Sequence, residues 1–367
     1  MKKILFSAVT LDVGGIETAL VTLLNYLAEE KDNNDFKYEI TLALEKKQGL
    51  FLDFINSRIK IIEYTPCSFK FVPIRKAINF IKQRSFIKKY KNKFDFAASY
   101  ATYSLPCSFI ARTASENSAL WCHMDYLEQY RGDESKVKDF FVEKHFEQFK
   151  HIIFVSERGR DNFINIYPND KDRVLWINNL IDYKKIIEKS CEETEEKVDS
   201  YTFINIGRHD EDQKKLSRII NAAELLQKDG FYFNIVLIGD GQDTENYKKQ
   251  IKEKDLDDVI IPLGRKKNPY PYLKKSKCLL LTSDYEGSPV VFTEAMVLNK
   301  PIITTDVSGS EQVDNKFGIV TQKNEESIYE AMKYFIQNGY EIQDKFDPED
   351  YNNKIIKEIE KIMWKEL

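Results

Sequence analysis

Apolar residues along this chain alternate between short β-rich runs and longer stretches with helical spacing, the pattern of a parallel sheet covered by helices. Two such series occur. The first opens at residues 4–9 and turns at Gly14-Gly15. It then enters a helix whose Ile16, Ala19, Leu20, Leu23, Leu24 and Leu27 follow i, i+3, i+4 spacing. Further strands are predicted at 38–42, 94–100, 119–123, 152–155 and 174–177. The second series places strands at 203–206, 234–238, 259–263, 278–281 and 302–304, with helical segments between them. The junction falls at 178–182, ahead of the acidic, polar stretch 192–200. A final stretch, 351–364, carries Ile355, Ile356, Ile359, Ile362 and Met363 as a helical stripe that needs a partner.

Length and composition narrow this picture. At 367 residues the chain exceeds what one hydrophobic core usually serves, so two domains are expected. A net charge of -4 argues against nucleic acid as a partner, because a polyanion wants a surplus of Lys and Arg. The five cysteines, Cys67, Cys107, Cys122, Cys191 and Cys278, show neither paired spacing nor a zinc pattern, which fits a reducing, cytoplasmic setting. The first residues lack the apolar core of a signal peptide, and no run approaches the ~18 to 20 apolar residues of a membrane span. Membrane contact would be peripheral. A route to it exists at 68–94, which holds Lys70, Arg75, Lys76, Lys82, Arg84, Lys88, Lys89, Lys91 and Lys93 and no acid. Ile74, Ala77, Ile78 and Ile81 keep helical spacing there, so the segment is either a docking surface for anionic lipid or a solvated basic helix packed by its apolar face.

Candidate chemistry concentrates in the second series. Glu286-Gly287-Ser288-Pro289-Val290 follows an apolar strand, with Ser288 suited to cap a helix and Pro289 to begin it. A helix starting there points unpaired N–H groups at a cleft, where a diphosphate is welcome. Glu294 lies ~9 Å further along the axis, where a carboxylate can accept both hydroxyls of a ribose. The run Gly207-Arg208-His209-Asp210-Glu211-Asp212-Gln213-Lys214-Lys215 sits between a strand and the next helix. Cations at a helix N-terminus oppose its dipole, and a bound anion would remove the conflict. Lys214 and Glu294 are expected to be exposed in the cleft. No metal site or paired nucleophile and base emerges.

These motifs resemble those of the retaining GT-B glycosyltransferases of family 4. Glu286 and Glu294 match the family's E-x7-E, Gly14-Gly15-Ile16-Glu17 its glycine turn, and Gly239-Asp240-Gly241 its G-D-G turn. Asn179-Leu180-Ile181-Asp182 matches its interdomain N-G-I-D with Leu180 in place of glycine. The loop 304–311 is similar to the one that follows the E-x7-E helix. The resemblance implies an α/β GT-B fold, with two Rossmann-like domains facing across a cleft. Residues 1–180 form the acceptor side and 181–347 bind a nucleotide sugar, while a terminal helix, 348–367, returns to the first domain. It implies that Arg208 and Lys214 neutralise the donor diphosphate, Glu286 and His123 meet the sugar, and Glu294 holds the ribose. Gly15, Gly264, Gly287, Ser288, Pro289 and Val290 would line the donor, with backbone at Gly264 seating the base. No metal or cofactor is implied, only a nucleoside diphosphate sugar as substrate, a UDP-sugar foremost. The acceptor would be a hydroxyl of a glycan or lipid-linked sugar in surface polysaccharide synthesis. A nucleotide-sugar epimerase of the same architecture and a non-catalytic partner subunit are the alternatives.

Overall fold

The computed structural model describes residues 1–12, 14–196 and 201–364, so residues 197–200 of the polar stretch lie outside it. The chain divides into two compact units, one of residues 1–180 with the helix from Tyr351 onward, the other Ile181–Asp350.

The first unit is built on β1 (Lys2–Ala8), β4 (Tyr38–Leu44), β5 (Lys60–Glu63), β6 (Phe96–Ser99), β7 (Ser118–Cys122), β8 (His151–Phe154) and β9 (Val174–Trp176). A small hairpin, β2 (Lys31–Asp32) and β3 (Asp35–Phe36), stands apart from the sheet. The seven strands are parallel in the order β5-β4-β1-β6-β7-β8-β9. Successive side chains of a strand point to opposite faces, and here both faces are covered, so the strands read as unbroken apolar runs. Ile4 and Phe6 accordingly enter one apolar layer with Leu20 and Leu24, while Leu5 enters the other with Ile110 and Phe141.

The second unit repeats the plan with β10 (Tyr201–Ile206), β11 (Ile235–Ile238), β12 (Ile260–Gly264), β13 (Ser276–Leu281), β14 (Ile302–Thr305) and β15 (Gly318–Thr321). Their order is β12-β11-β10-β13-β14-β15, again all parallel. Phe203 and Ile204 divide between its two apolar layers. Besides the short hairpin strands β2 and β3, two strands of the sheets, β5 and β15, escape the reading of the sequence. Both are four-residue strands at sheet edges with half-exposed apolar residues, so neither carries a clear alternation.

The last helix, Pro348–Trp364, leaves the second unit and packs on the first. Asp347 Oδ1 accepts from the amides of Glu349 and Asp350 at its start. Ile355, Ile356, Ile359, Ile362 and Met363 then join the layer containing Ile4 and Leu24. Asn117 Nδ2 donates to the carbonyls of Ile362 at 2.9 Å and Met363 at 3.1 Å, so a side chain of the first unit satisfies carbonyls of the last turn. Trp364 stacks on Tyr38 with ring centroids 5.6 Å apart, and the Tyr38 hydroxyl donates to Glu360 at 2.8 Å.

The basic segment forms one helix, Val72–Tyr90, of which only Phe86 is fully buried. No helix among the described residues is long and apolar enough to cross a membrane.

Candidate active site

In the second unit the strands run outward in both directions from the pair β10 and β13, so consecutive strands part company there. Loops at such a switch point diverge and leave a crevice beyond the carboxyl ends of the strands. The loop after β10 carries Gly207 to Lys215 and the loop after β13 carries Thr282 to Pro289. The two predicted clusters therefore meet.

They are joined by side chains as well as by position. Lys214 Nζ donates to Glu286 Oε1 at 2.5 Å, and Ser283 Oγ donates to the same oxygen at 2.7 Å. The Lys214 side chain is 17% exposed and that of Glu286 8%. The Asp284 amide donates to the Gln213 carbonyl at 2.8 Å, and Thr282 Oγ1 to the Lys215 carbonyl at 3.0 Å. Arg218 binds Asp284 at 2.6 Å and also donates to the Thr282 carbonyl.

Lys215, in the left-handed region at φ 51°, caps the helix Leu216–Lys228. The conflict between this cationic start and the helix dipole is met in part by carboxylates, since Lys215 lies 3.8 Å from both Glu211 and Asp284. Arg208 is the exposed cation of the group. Its guanidinium donates to Gln213 Oε1 at 3.0 Å and lies 3.5 Å from Asp210.

Tight backbone packing holds the cationic loop in place. Gly239 adopts φ 142°, and a Cβ there would lie 1.8 Å from the Gly207 carbonyl oxygen. One on Gly241 would lie 2.2 Å from that of His209. The G-D-G turn is thus a structural seat for the Arg208 loop. Gly239→Ala is expected to destabilise the protein by the sum of ~1 to 3 kcal/mol of backbone strain and ~1 to 3 kcal/mol of overpacking. An unchanged midpoint in chemical denaturation would refute that account.

Two expectations need correction. The helix bearing Glu294 is Val290–Val297 with Pro289 at its cap, one residue later than predicted, and Ser288 makes no capping hydrogen bond. Instead Ser288 Oγ accepts from Gln312 at 3.4 Å, because the loop 304–311 folds over it: a Cβ on Gly309 would lie within 3.2 Å of the Ser288 Cα and the Gly287 carbonyl. Lys214 and Glu294 are both largely buried, not exposed, because the neighbouring loop and helix close around them. Gly14, extended at φ -169°, caps the first helix, and a Cβ there would lie 2.3 Å from Glu17 Oε2. Gly15 is the first residue of the helix Gly15–Glu29.

Glu294 sits where burial acts strongly on it. Loss of water raises its carboxyl to about 7, against a smaller opposing effect from the Tyr270 hydroxyl, which donates to Oε1 at 3.1 Å. Gly264 ends β12 at φ 67° and its carbonyl accepts from the Gly239 amide, so it borders the same crevice. His123, in the first unit just past β7, is buried, with its ring 4.4 Å from that of Tyr100. Burial pulls its pKa down to about 3, partly offset by a hydrogen bond to the Tyr100 backbone, so the imidazole is neutral at physiological pH. Its Nε2 has no protein partner.

Sequence reasoning missed Ser283 and Tyr270. Ser283 was within reach, since Thr282-Ser283 directly follows the apolar strand. Tyr270 lies 24 positions from the carboxylate it serves, and no local pattern marks it. No group of three or more His, Cys, Asp or Glu among the described residues could hold a metal ion.

Doubly wound units of this kind, the second with basic and acidic loops at its switch point, define the GT-B class of fold. Solved structures agree over the whole chain. Anabaena HepE in complex with UDP-glucose superposes with a TM-score of 0.74 at 15% identity, covering 98% of this chain and 100% of that one. Staphylococcus aureus TarM in complex with fondaparinux, α-GlcNAc-glycerol and UDP gives 0.74 at 14% identity, covering 99% and 100%. Residues 186–355, within the second unit for most of their length, match the family Glycosyl transferases group 1.

An uncharacterized glycosyltransferase of Methanocaldococcus jannaschii is 28% identical over 228 residues, 55% of each chain. An N-acetylgalactosamine-N,N'-diacetylbacillosaminyl-diphospho-undecaprenol 4-alpha-N-acetylgalactosaminyltransferase of Campylobacter jejuni is 24% identical over 208 residues, 56% of this chain and 55% of that one. The chain thus spans about half the length of these curated relatives.

Proposed function

We propose that this protein is a retaining glycosyltransferase that moves a sugar from a nucleoside diphosphate sugar to a hydroxyl of a glycan or lipid-linked acceptor. The observation that carries this reading is the Lys214, Glu286 and Ser283 cluster at the switch point, with buried Glu294 on the adjoining helix. Arg208 and Lys214 offer positive charge to a diphosphate without a metal ion. Glu294 accepts from the ribose hydroxyls, backbone near Gly264 seats the base, and the amides of Gly287, Ser288 and Val290 face the phosphates. Glu286 orients Lys214 and contacts the donor sugar. His123, neutral with Nε2 unengaged, is suited to hydrogen-bond the sugar.

In the transfer, the acceptor oxygen bonds to the anomeric carbon as the bond from that carbon to the phosphate oxygen breaks on the same face. The acceptor proton passes to the departing phosphate, and nucleoside diphosphate leaves. HepE and TarM hold UDP or UDP-glucose, and the C. jejuni relative is named for a polyprenyl-linked acceptor, which together favour a UDP-sugar and a lipid-linked or polymeric glycan. The five free thiols favour a cytoplasmic setting, with the acceptor met at the inner face of a membrane.

Glu294 supplies the test. Its folded pKa is raised, so ionising it costs native stability, and that cost is absent at low pH and fully present once pH passes about 7. If ribose hydroxyls bind that carboxylate, UDP and UDP-sugars should raise the melting temperature, and their affinity should fall as pH drops below about 7. Glu294→Gln should bind them weakly and with no break in that pH range, and the ligand-free variant should gain stability relative to wild type as pH rises. Lack of stabilisation by every nucleotide sugar, or an unchanged pH profile in Glu294→Gln, would remove the donor site. Release of a new nucleotide sugar without free nucleotide would instead identify an epimerase.

A further inference from the structure

The helix Val72–Tyr90 is fastened to the first unit along one face only. Phe86 packs among the rings of Tyr64, Tyr90 and Phe109, at centroid distances of 5.4, 4.8 and 5.8 Å. Asn79 exchanges hydrogen bonds with the Cys67 backbone at 2.6 and 3.2 Å, and Lys82 Nζ donates to the Thr65 carbonyl at 2.7 Å. These three residues recur at three- and four-residue steps, so they lie on one stripe. The opposite stripe is set by the seven-residue steps Ile74, Ile81 and Lys88, all exposed.

That outward stripe changes character along its length. On it Ile74 and Ile81 stand in solvent, Ile81 being 66% exposed, as do Phe69 and Phe71 in the segment leading into the helix, Phe69 being 63% exposed. Toward the carboxyl end Arg84, Lys88 and Lys89 follow on the helix, with Lys91 and Lys93 just beyond it, all exposed. None of the nine cations in 68–94 has a carboxylate partner among the described residues, although ion pairs are common elsewhere on the surface. The guanidinium of Arg84 lies 4.9 Å from the Phe80 ring centre, so even this charge is carried over apolar surface.

We propose that this face docks the first unit on an anionic phospholipid bilayer. Phe69, Phe71, Ile74 and Ile81 enter the interfacial layer, while Arg84, Lys88, Lys89, Lys91 and Lys93 meet the lipid headgroups. A folded acidic protein would need only the charges, and a nucleic acid would gain little from exposed aliphatic side chains. A surface that places bulky apolar residues beside unpaired cations matches the headgroup boundary, where one phase takes each kind. Docking does not depend on the sugar-transfer reading, and its test involves no turnover.

Flotation of the full chain with vesicles tests it. Recovery should be at least ~10-fold greater with phosphatidylglycerol in phosphatidylcholine than with phosphatidylcholine alone, and should fall as salt rises from low to ~1 M, where screening is short-ranged. Changing Lys88, Lys89, Lys91 and Lys93 to Ser should abolish binding. Changing Phe69, Phe71 and Ile81 to Ser should leave only a weak, wholly salt-sensitive association. Both sets are exposed, so melting temperatures should match wild type and show that the fold is kept. Equal recovery with both lipids, no recovery with either, unchanged binding in either variant, or binding to RNA but not to anionic vesicles would overturn the proposal.

Discussion

Lys214→Ala is expected to lower donor turnover by ~100- to 1,000-fold, the usual cost of removing one preorganised group that faces developing charge. It should also destabilise the protein by ~3 to 5 kcal/mol, because Glu286 is left buried without its cation. The two effects separate in a double variant. Lys214→Met with Glu286→Gln removes both charges and keeps similar volumes, so much of the lost stability should return while turnover stays low. Urea denaturation and donor-consumption assays on the two purified proteins check this. Near-normal turnover in Lys214→Ala would sink the assignment of the cluster to the diphosphate. A double variant no more stable than the single would show that Glu286 does not depend on Lys214.

Removal of residues 348–367 should have the largest effect on stability. The helix buries Ile355, Ile356, Ile359, Ile362 and Met363 in the first unit. At ~1.5 to 3 kcal/mol per buried side chain the loss is comparable with the entire stability of a domain, about 5 to 15 kcal/mol. The truncated chain should therefore lose the cooperative unfolding of its first unit in calorimetry and be cut there by protease under native conditions. Ile359→Ala is the milder form of the same experiment and should cost ~2 to 5 kcal/mol. A truncated protein with the same melting profile as the full chain would mean that the helix is dispensable to that core.

Much of the fold was legible because parallel strands covered on both faces must be apolar throughout. β1, β4, β6, β7, β8, β10, β11, β13 and β14 all announce themselves in this way, within a residue or two at their ends. The edge strands β5 and β15 do not, since half-exposed positions there accept polar and apolar residues alike. The site divides along a similar line. Glycines at 239 and 241 mark a turn that a reader of the sequence can find, although what requires them is the backbone of Gly207 and His209 pressed against it. Asp182, whose side chain accepts from the Lys185 amide, is likewise a capping residue recognisable from its neighbours.

By itself, then, the sequence determined the two α/β series, the helix spacing, the positions of the charged loops and the stripe of the last helix. These follow from periodicity and backbone stereochemistry, which act over a few residues. Only the tertiary structure decided that Lys214 and Ser283 share one oxygen of Glu286, and that Tyr270 answers Glu294. It also decided that Ser288 serves Gln312 rather than its own helix. Burial settled the rest: the same side chains that sequence places at a wet cleft lie largely out of water, and Glu294 holds its proton to about 7 as a result. Contacts of this kind depend on strand order, because a parallel sheet brings together loops 72 residues apart, and no local pattern records which loops those will be.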